Sequence, residues 1–346
     1  MPVTPRQRME NAWNVQPTDR VPFVPAVYEQ KAFLIDDTPS NVSRNADLLY
    51  RAIMTEHEVY QADALVIGMD VYNIEAEALG ATVQFYEGDD TSIPGIGPGG
   101  HAITFGEDLG GLKIPNPASD GRMPLMLDVA RRLAKMHDTV PVRGALSGPF
   151  SLALNIAGPE DVFLGTMLDA DYCKALFRFS ADVIIEFGKA YLDAGVWTIL
   201  FDSQASPELF PPDMYEEMVL PETQRIIRAL NEAGDPYCPL IIGGNTSDII
   251  DSYMKTGARQ ILCDFSADWT AYRSACEREK ISVRRNISPG PIQNGTPAEL
   301  EAETRRYLAE AEGMNGFVMG TAVVPFGSPA ENIAAIREAC HAHVPA

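Results

Sequence analysis

Basic residues are scarce in this sequence. Lysine and arginine number 27 against 48 aspartates and glutamates, which leaves a formal net charge of −21 at pH 7. So acidic a chain repels nucleic-acid backbones and other polyanionic ligands at long range, and this excludes nucleic acid as a partner. The same charge keeps an abundant protein dissolved, and we expect that to be its main effect.

Cysteine is scarce too, with five residues, an odd number, and no CxxC pair. A disulfide framework is therefore not expected, and a reducing cytosol fits this composition. No stretch approaches the roughly 18 apolar residues of a membrane-spanning helix. The first residues, MPVTPRQR, contain no apolar run typical of an export signal. The sequence thus predicts a cytoplasmic protein without a membrane anchor.

Nucleotide-binding fingerprints are also missing, because neither GxGxxG nor GxxxxGK[ST] follows any predicted strand. The glycines between Pro94 and Gly100 lie in a loop with no helix after them, which argues against a phosphate site. What the sequence does contain is a regular alternation of short apolar runs and amphipathic helical patterns. Strands are predicted at 22–26, 64–67, 140–145, 197–202, 239–242, 260–263, 282–287 and 316–319.

Eight strands that alternate with helices predict an α/β fold of the (β/α)₈ barrel type, formed by one domain over residues 1–346. A doubly wound open sheet is the alternative, but it normally has fewer strands and a nucleotide fingerprint. Segment 81–123 breaks the rhythm, since 83–86 and 102–105 alternate like hairpin strands around the glycine loop. We interpret this segment as an insertion over the barrel mouth, either a lid or an ordinary surface excursion.

In such a barrel the functional residues lie at the C-terminal ends of the strands. Carboxylates and amides occupy these positions, without histidine, lysine or arginine, so we expect a negative mouth suited to a cation, a metal or a proton relay. Several of these residues could instead cap the following helix, as Asn245 could. The polar candidates are Asp70, Ser147, Asp202, Gln204, Asn245, Asp264, Asn286 and Thr321.

The five histidines lie away from the strand ends. Only His101, at the end of the glycine loop, is kept as a candidate. Cys263 is expected to be a small core residue, because the neighbouring Asp264 raises the pKa of its thiol and disfavours nucleophilic use. The histidines that fall in predicted helices and are expected at the surface are His57, His137, His341 and His343.

Several motifs, in register along the chain, resemble one family. The stretch Asp70 to Gly80, DVYNIEAEALG, is similar to the DxxxEAEALG signature of the cobamide-dependent methyltransferases in the uroporphyrinogen decarboxylase superfamily. This sequence has one extra residue before Glu75. The resemblance implies the same barrel from about residue 5 to 340. Further similar segments are SGPFSL at 147–152, LFPP at 209–212, NISP at 286–289 and SPAENI at 328–333.

Two chemistries compete within this superfamily. The decarboxylase carries an arginine-rich N-terminal segment, whereas residues 24–30 here read VPAVYEQ. A porphyrinogen with many carboxylates needs cationic partners, which this segment does not supply. The EAEALG form also favours the methyltransferase branch, so the resemblance implies methyl transfer rather than decarboxylation.

Thiol-methylating members of that branch bind zinc through His-x-Cys after the fifth strand and a cysteine after the eighth. The matching positions here are Ile241, Gly243 and Ala322, and none of them can bind zinc. Zinc is therefore not expected at the family motif. Other residues could hold a metal, although their spacing has no recognisable pattern: Glu75, Glu77, Asp202, Cys263 and Asp264.

The resemblance then implies a corrinoid-dependent methyltransferase that works without this zinc. It would move a methyl group from a small methylated substrate to the cobalt of a corrinoid, or cobalamin, carried by a partner protein. A methoxyaromatic ether needs a general acid, whereas a quaternary amine or sulfonium needs only acidic and aromatic neighbours. The alternatives are a uroporphyrinogen-decarboxylase-like enzyme and a degenerate barrel that only binds a small molecule.

Within that function we predict catalytic roles for Asp202 and Asp264, as general acid or as partner of a substrate cation. Aromatic residues that could line the pocket, beyond Tyr28, are Tyr72, Phe201 and Trp269. The residues predicted to bind substrate are Tyr28, Asp70, Gln204, Asn245 and Asn286.

Overall fold

The computed structural model describes residues 2–343, and eight parallel strands alternate with helices along this range. The strands are β1 Phe23–Ala26, β2 Leu65–Ile67, β3 Val83–Gln84, β4 Gly95–Ile96, β5 Val142–Ser147, β6 Trp197–Phe201, β7 Leu240–Ile241, β8 Gln260–Cys263, β9 Ser282–Ile287 and β10 Phe317–Val323. The α-helices are Pro5–Trp13, Gln30–Phe33, Pro39–Ser43, Ala46–Tyr60, Ile74–Ala78, Met123–Leu133, Pro149–Ala157, Pro159–Leu168, Ala170–Asp193, Pro212–Met214, Leu220–Glu232, Ile250–Met254, Trp269–Glu279, Pro289–Asn294, Pro297–Glu310 and Ala330–Ala342.

The parallel strands form two four-stranded sheets, in the orders β1-β10-β9-β8 and β2-β5-β6-β7. This is the strand order of an eight-stranded α/β barrel that is opened along two seams, between β1 and β2 and between β7 and β8. The predicted alternation of eight strands with helices is therefore confirmed. Within residues 2–343, no helix is both long and apolar enough to cross a membrane.

The hydroxyl of Tyr253 lies in the seam between β7 and β8. It accepts the backbone N–H of Ile242 at 3.0 Å and that of Leu262 at 3.3 Å, and it donates to the carbonyl of Leu240 at 2.9 Å. One buried side chain thus takes the place of ladder hydrogen bonds between the two strands.

Asp63 has a similar role at the other seam. Its backbone N–H donates to the carbonyl of Phe23 at 2.8 Å, and its carboxylate accepts the N–H of Phe23 at 2.8 Å. Arg8 and Arg20 neutralise this fully buried carboxylate at 2.6 and 2.8 Å. The start of β2 is therefore fastened to β1 by a charged side chain rather than by sheet pairing.

Tyr253→Phe is expected to lower the free energy of unfolding by about 2–4 kcal/mol. The substitution leaves two buried N–H groups and one carbonyl without a partner, and each such group costs about 1–3 kcal/mol. Urea denaturation followed by circular dichroism measures the change. Tyr272→Phe is the matched control, because Tyr272 is equally buried but within residues 2–343 its hydroxyl shares only one hydrogen bond, with Thr246. Equal losses in the two variants would contradict a role in the seam.

The predicted hairpin is only partly right. Val83–Gln84 is a strand, but it pairs antiparallel with Gly95–Ile96 from inside the glycine loop. Residues 102–105 form no strand. The backbone N–H of Ile103 donates instead to the carbonyl of Ile156 at 2.9 Å, which ties this segment to a helix. The apolar residues that alternate at 102–105 pack individually against the core and do not form a strand.

The surface location expected for His137 is wrong. His137 is buried, and its ring lies edge-on to Trp197 with centroids 4.4 Å apart. Its Nδ1 accepts the N–H of Val142 at 3.0 Å. Burial, with a smaller effect from the nearby Arg6, lowers the pKa of His137 to about 4, so the ring is a neutral core residue. His101 contacts the carbonyl of Asn155 and does not line the cavity described below.

The N-terminal helix closes one end of the barrel. Met9 and Trp13 are buried there against Val24 and Val318 of the barrel interior. Trp13 also stacks on Tyr237 with ring centroids 4.8 Å apart. A ligand can therefore enter the barrel only from the other end, where the strands terminate.

Candidate active site

A cavity of about 510 Å³ lies at the C-terminal ends of the barrel strands. Inward-facing strand residues give it a largely apolar wall, in which Tyr28 and Phe201 meet edge to face at 5.8 Å. Ile93 and Val323 stand at the rim and are 46% and 44% exposed, so the cavity opens to solvent. The apolar wall residues include Ala26, Tyr28, Val71, Phe201, Ile241 and Leu262.

Asp264, directly after β8, is a cavity carboxylate held by neutral hydrogen-bond donors. It accepts the N–H of Gly244 at 3.0 Å, the N–H of Phe265 at 3.0 Å and the side-chain amide of Asn286 at 3.3 Å. These donors hold the carboxylate in one orientation against the cavity. The side-chain carbonyl of Asn286 is buried and accepts no hydrogen bond from residues 2–343. Predicted site residues that line the cavity are Tyr28, Asp70, Asp264 and Asn286.

Asp70 also lines the cavity, but it is already paired. Arg122 holds it through two hydrogen bonds of 2.9 and 2.6 Å, and Asn73 donates to it at 3.0 Å. Asn73 donates further to the carbonyl of Pro94 at 2.8 Å, and Arg122 also pairs with Glu77. This cluster fastens segment 81–123 to the chain that follows β2, at Pro94 in its interior and at Arg122 near its C-terminal end. A substrate would therefore meet a neutralised Asp70 rather than a free carboxylate.

The other predicted residues do not line the cavity. Asp202 is 1% exposed, and its Oδ1 accepts the N–H of Ser151 at 2.8 Å, so the carboxylate points toward the next helix. Gln204 is half-buried beside it. Asn245 is exposed and bonds to Ser247 at 2.6 and 3.2 Å, which is a local turn of the capping kind. Asp202 and Asn245 thus accept hydrogen bonds from nearby backbone N–H groups.

Asp202→Asn is expected to stabilise the protein at high pH. Burial raises the pKa of Asp202 from 3.8 to about 6, and the bonds from Ser151 oppose this only in part. Because the folded-state pKa is the higher one, the native state gains stability from the proton below pH 4 and loses it as the pH rises through 6. The charged form then costs about 3 kcal/mol at pH 8.

Asparagine keeps an oxygen that can accept from Ser151, but it carries no charge. Urea denaturation should give a free energy of unfolding about 2–3 kcal/mol above wild type at pH 8 and equal to it at pH 4. Asp248→Asn is the control, because Asp248 is exposed and should change little at either pH. A gain for Asp202→Asn that does not depend on pH would rule out this explanation.

Two cavity residues, Arg284 and Glu29, were not among the predicted set. Arg284 lies in β9 two residues before Asn286, so the strand's alternation turns both side chains into the barrel. The expectation of a mouth without arginine is therefore wrong, because the strand-end rule passes over residues deeper in a strand. Glu29 follows β1 by three residues, and burial raises its pKa, with its own N–H and Lys31 opposing the shift.

The positions that match the family's zinc ligands do meet in this cavity. Ile241, Gly243 and Ala322 all line it, but they offer neither imidazole nor thiolate. Glu75, one of the other possible ligands, is fully buried, and its carboxylate accepts the N–H and hydroxyl of Ser147 at 2.8 and 3.0 Å. In the part of the chain described, no three His, Cys, Asp or Glu side chains cluster as a metal site. The residues present do not fit zinc.

Comparison with known proteins identifies a family. The sequence profile described as uroporphyrinogen decarboxylase (URO-D) matches residues 4–343. Methylcobamide:CoM methyltransferase MtbA of Methanosarcina mazei is 30% identical over 340 residues, which cover 95% of each chain. Uroporphyrinogen decarboxylase of Geobacter sulfurreducens is 26% identical, over 82% of this chain and 81% of its own. A solved methyltransferase structure from Methanosarcina mazei superimposes with a TM-score of 0.87 at 19% identity, over 98% of this chain and 99% of its own, and shows the same fold.

Proposed function

Because the chain belongs to the uroporphyrinogen decarboxylase family, we propose that it is a methyltransferase that demethylates a small aromatic ether and passes the methyl group to a corrinoid carried by a partner protein. The relative named as a methylcobamide methyltransferase, with 95% coverage of both chains, supports methyl transfer and a corrinoid. The observation that carries the choice of an ether is Glu29, a buried carboxyl of raised pKa at the cavity wall.

The open rim of the cavity is compatible with a methyl acceptor that approaches from solvent on a partner protein. The corrinoid would supply a nucleophilic cobalt, to which the methyl group is transferred. The rim residues Ile93 and Val323 are about half exposed, whereas the N-terminal helix seals the opposite end. The substrate's methyl group must therefore point toward the rim. Apolar walls exclude water from the rest of the substrate.

Glu29 is the group best suited to act as general acid. It gives its proton to the ether oxygen, which keeps the electron pair of the broken bond to the methyl carbon and leaves as a phenol. Proton transfer of this kind typically accounts for about 10²–10⁴-fold in rate. Asp264 and Asn286 would orient the substrate, since both line the cavity and hold each other in place.

Other donors and activities are less well supported by the cavity. Arg284 at its wall opposes a quaternary amine or sulfonium, which is cationic itself. A porphyrinogen would bring many carboxylates, yet within residues 2–343 Arg284 is the only arginine or lysine that lines the cavity. A barrel that binds without turnover remains the second candidate, because the family's metal ligands are replaced.

The central experiment mixes the protein with cob(I)alamin and a panel of methoxyaromatics, betaines and sulfonium compounds. Methylcobalamin, followed by its visible spectrum, should form with methoxyaromatics. Tight binding of these compounds without methylcobalamin would favour the binding-only barrel. Asp202→Asn belongs in the same assay: unchanged transfer removes the catalytic role predicted for Asp202, while loss of transfer in a stable variant supports it.

A further inference from the structure

Arg284 lies within the barrel, and within residues 2–343 its guanidinium has no hydrogen-bond or salt-bridge partner. The residue is 3% exposed and lines the cavity. In the described chain its side chain donates no hydrogen bond and joins no salt bridge within 4 Å, and its Nε is buried without an acceptor. Tyr28, Asp264 and Tyr253 are near enough to favour its charge, although burial is the larger effect and lowers its pKa. Arginine remains a cation even so.

A second buried arginine adds to this positive charge. Arg143 on β5 is 1% exposed, and none of its three guanidinium nitrogens has a hydrogen-bond partner in the described range. It lies 6.0 Å from the ring of Trp13, at the closed end of the barrel. Burial first, and repulsion from Arg284 second, lower the pKa of Arg143 to about 10. The carboxylate of Asp235, which attracts it, is bonded to Thr198 instead.

Buried cations without counter-charge are unfavourable, because desolvation is not repaid by pairing. A ligand that brings an anion would relieve this cost at Arg284, which faces the cavity. The planar guanidinium presents two parallel donors that match the two oxygens of a carboxylate. Strand register sets the depth: Arg284 lies opposite Val318, two residues below the level of Asn286. The anion site is thus on the cavity floor.

We propose that Arg284 binds a carboxylate of the substrate, so that the methyl donor is a methoxy-substituted aromatic acid held with its carboxylate at the floor and its methoxy group at the rim. The choice of donor rests on the proposed function. The aromatic walls of Tyr28 and Phe201 stand between the two ends. Glu29, past the end of β1, lies on the rim side, where the ether oxygen would be.

The test is calorimetric titration of the full chain, without corrinoid, with four probes: benzoate, benzenesulfonate, benzamide and phenyltrimethylammonium. Benzoate should bind at least about tenfold tighter than benzamide, as charge-assisted hydrogen bonds predict. Arg284→Met should weaken benzoate binding about 10–100-fold and leave benzamide unchanged, and Arg284→Lys should restore part of the loss. Benzoate that binds no tighter than benzamide, or less tightly than benzenesulfonate or phenyltrimethylammonium, overturns the proposal.

The variants are expected to fold, because Arg284 has no hydrogen-bonded partner among the described residues and replacing an unpaired buried charge does not destabilise. If Arg284→Met does not fold, the comparison of wild-type affinities for benzoate and benzamide tests the carboxylate site without it. Binding needs no corrinoid, so the two proposals fail separately. Methoxybenzoate that binds but is never demethylated overturns the methyltransferase. Demethylation of neutral anisole as readily as of methoxybenzoate overturns the carboxylate site.

Discussion

Glu29→Gln is expected to slow methyl transfer from an ether donor by about 10²–10⁴-fold, the usual contribution of a general acid. Glutamine keeps the size of the side chain but gives no proton to the leaving oxygen. The carboxyl of Glu29 forms no hydrogen bond to another residue's side chain in the described chain, so little else should change. The measurement is the rate of methylcobalamin formation at saturating donor, together with the KM for the donor, which should stay near the wild-type value.

A sulfonium donor distinguishes loss of the proton donor from disturbance of the cavity in Glu29→Gln. Its leaving group departs neutral and needs no proton, so Glu29→Gln should not slow whatever transfer the wild type shows with it. Glu160→Gln, which changes an exposed carboxylate far along the chain, is the matched control with the ether. An equal loss of transfer rate with both donors would falsify the acid role. It would indicate instead that the substitution displaces the cavity wall at Glu29.

The pH profile follows from the same group. Burial raises the pKa of Glu29, and the acid is active only while it is protonated. The wild-type rate with an ether should therefore hold at low pH and fall as the pH rises through this elevated pKa. The residual rate of Glu29→Gln should lack that fall. A wild-type rate that instead rises over the same range would point to a general base.

The fold could be predicted because the parallel strands are buried on both faces and read as continuous apolar runs. The seams could not be predicted in the same way. Tyr253 joins β7 to β8 through its hydroxyl, and Asp63 fastens β2 to β1. Both contacts depend on where a helix and a turn come to lie in three dimensions, and no local pattern marks them.

The candidate site shows the same limit. Asp264 and Asn286 could be identified from their positions after a strand, because a barrel places the C-terminal ends of all its strands at one end. It did not show which way a carboxylate turns: Asp202 turns to the N–H of Ser151, away from the cavity. Arg284 was missed because it lies inside a strand, and only the alternation with Asn286 marks it as inward-facing.

Arg122→Met is expected to lower the free energy of unfolding by about 3–5 kcal/mol, as removal of one partner of a buried ion pair does. The side chain of Asp70 is fully buried, and within residues 2–343 Arg122 supplies two of its hydrogen bonds and its only salt bridge. Without Arg122 the carboxylate is left as a buried charge without its ion-pair partner. Urea denaturation at pH 7 measures the loss.

The double variant Asp70→Asn/Arg122→Met tests whether the loss comes from the unpaired charge. It should recover most of the stability lost in Arg122→Met, because no isolated carboxylate remains. Additive losses would instead mean that each residue acts through other contacts, such as Glu77 for Arg122.

The same pair links stability to the cavity. Arg122 ends the inserted segment, and Asn73, bonded to Asp70, holds Pro94 of that segment at the cavity wall. Breaking the pair should therefore free the wall formed by Ile93 and Pro94 before the barrel itself unfolds. Amide hydrogen exchange in 81–123 should rise, and the KM for a methyl donor should rise more than kcat falls. Faster exchange spread evenly over the barrel would show that Arg122 supports the whole fold and not this wall.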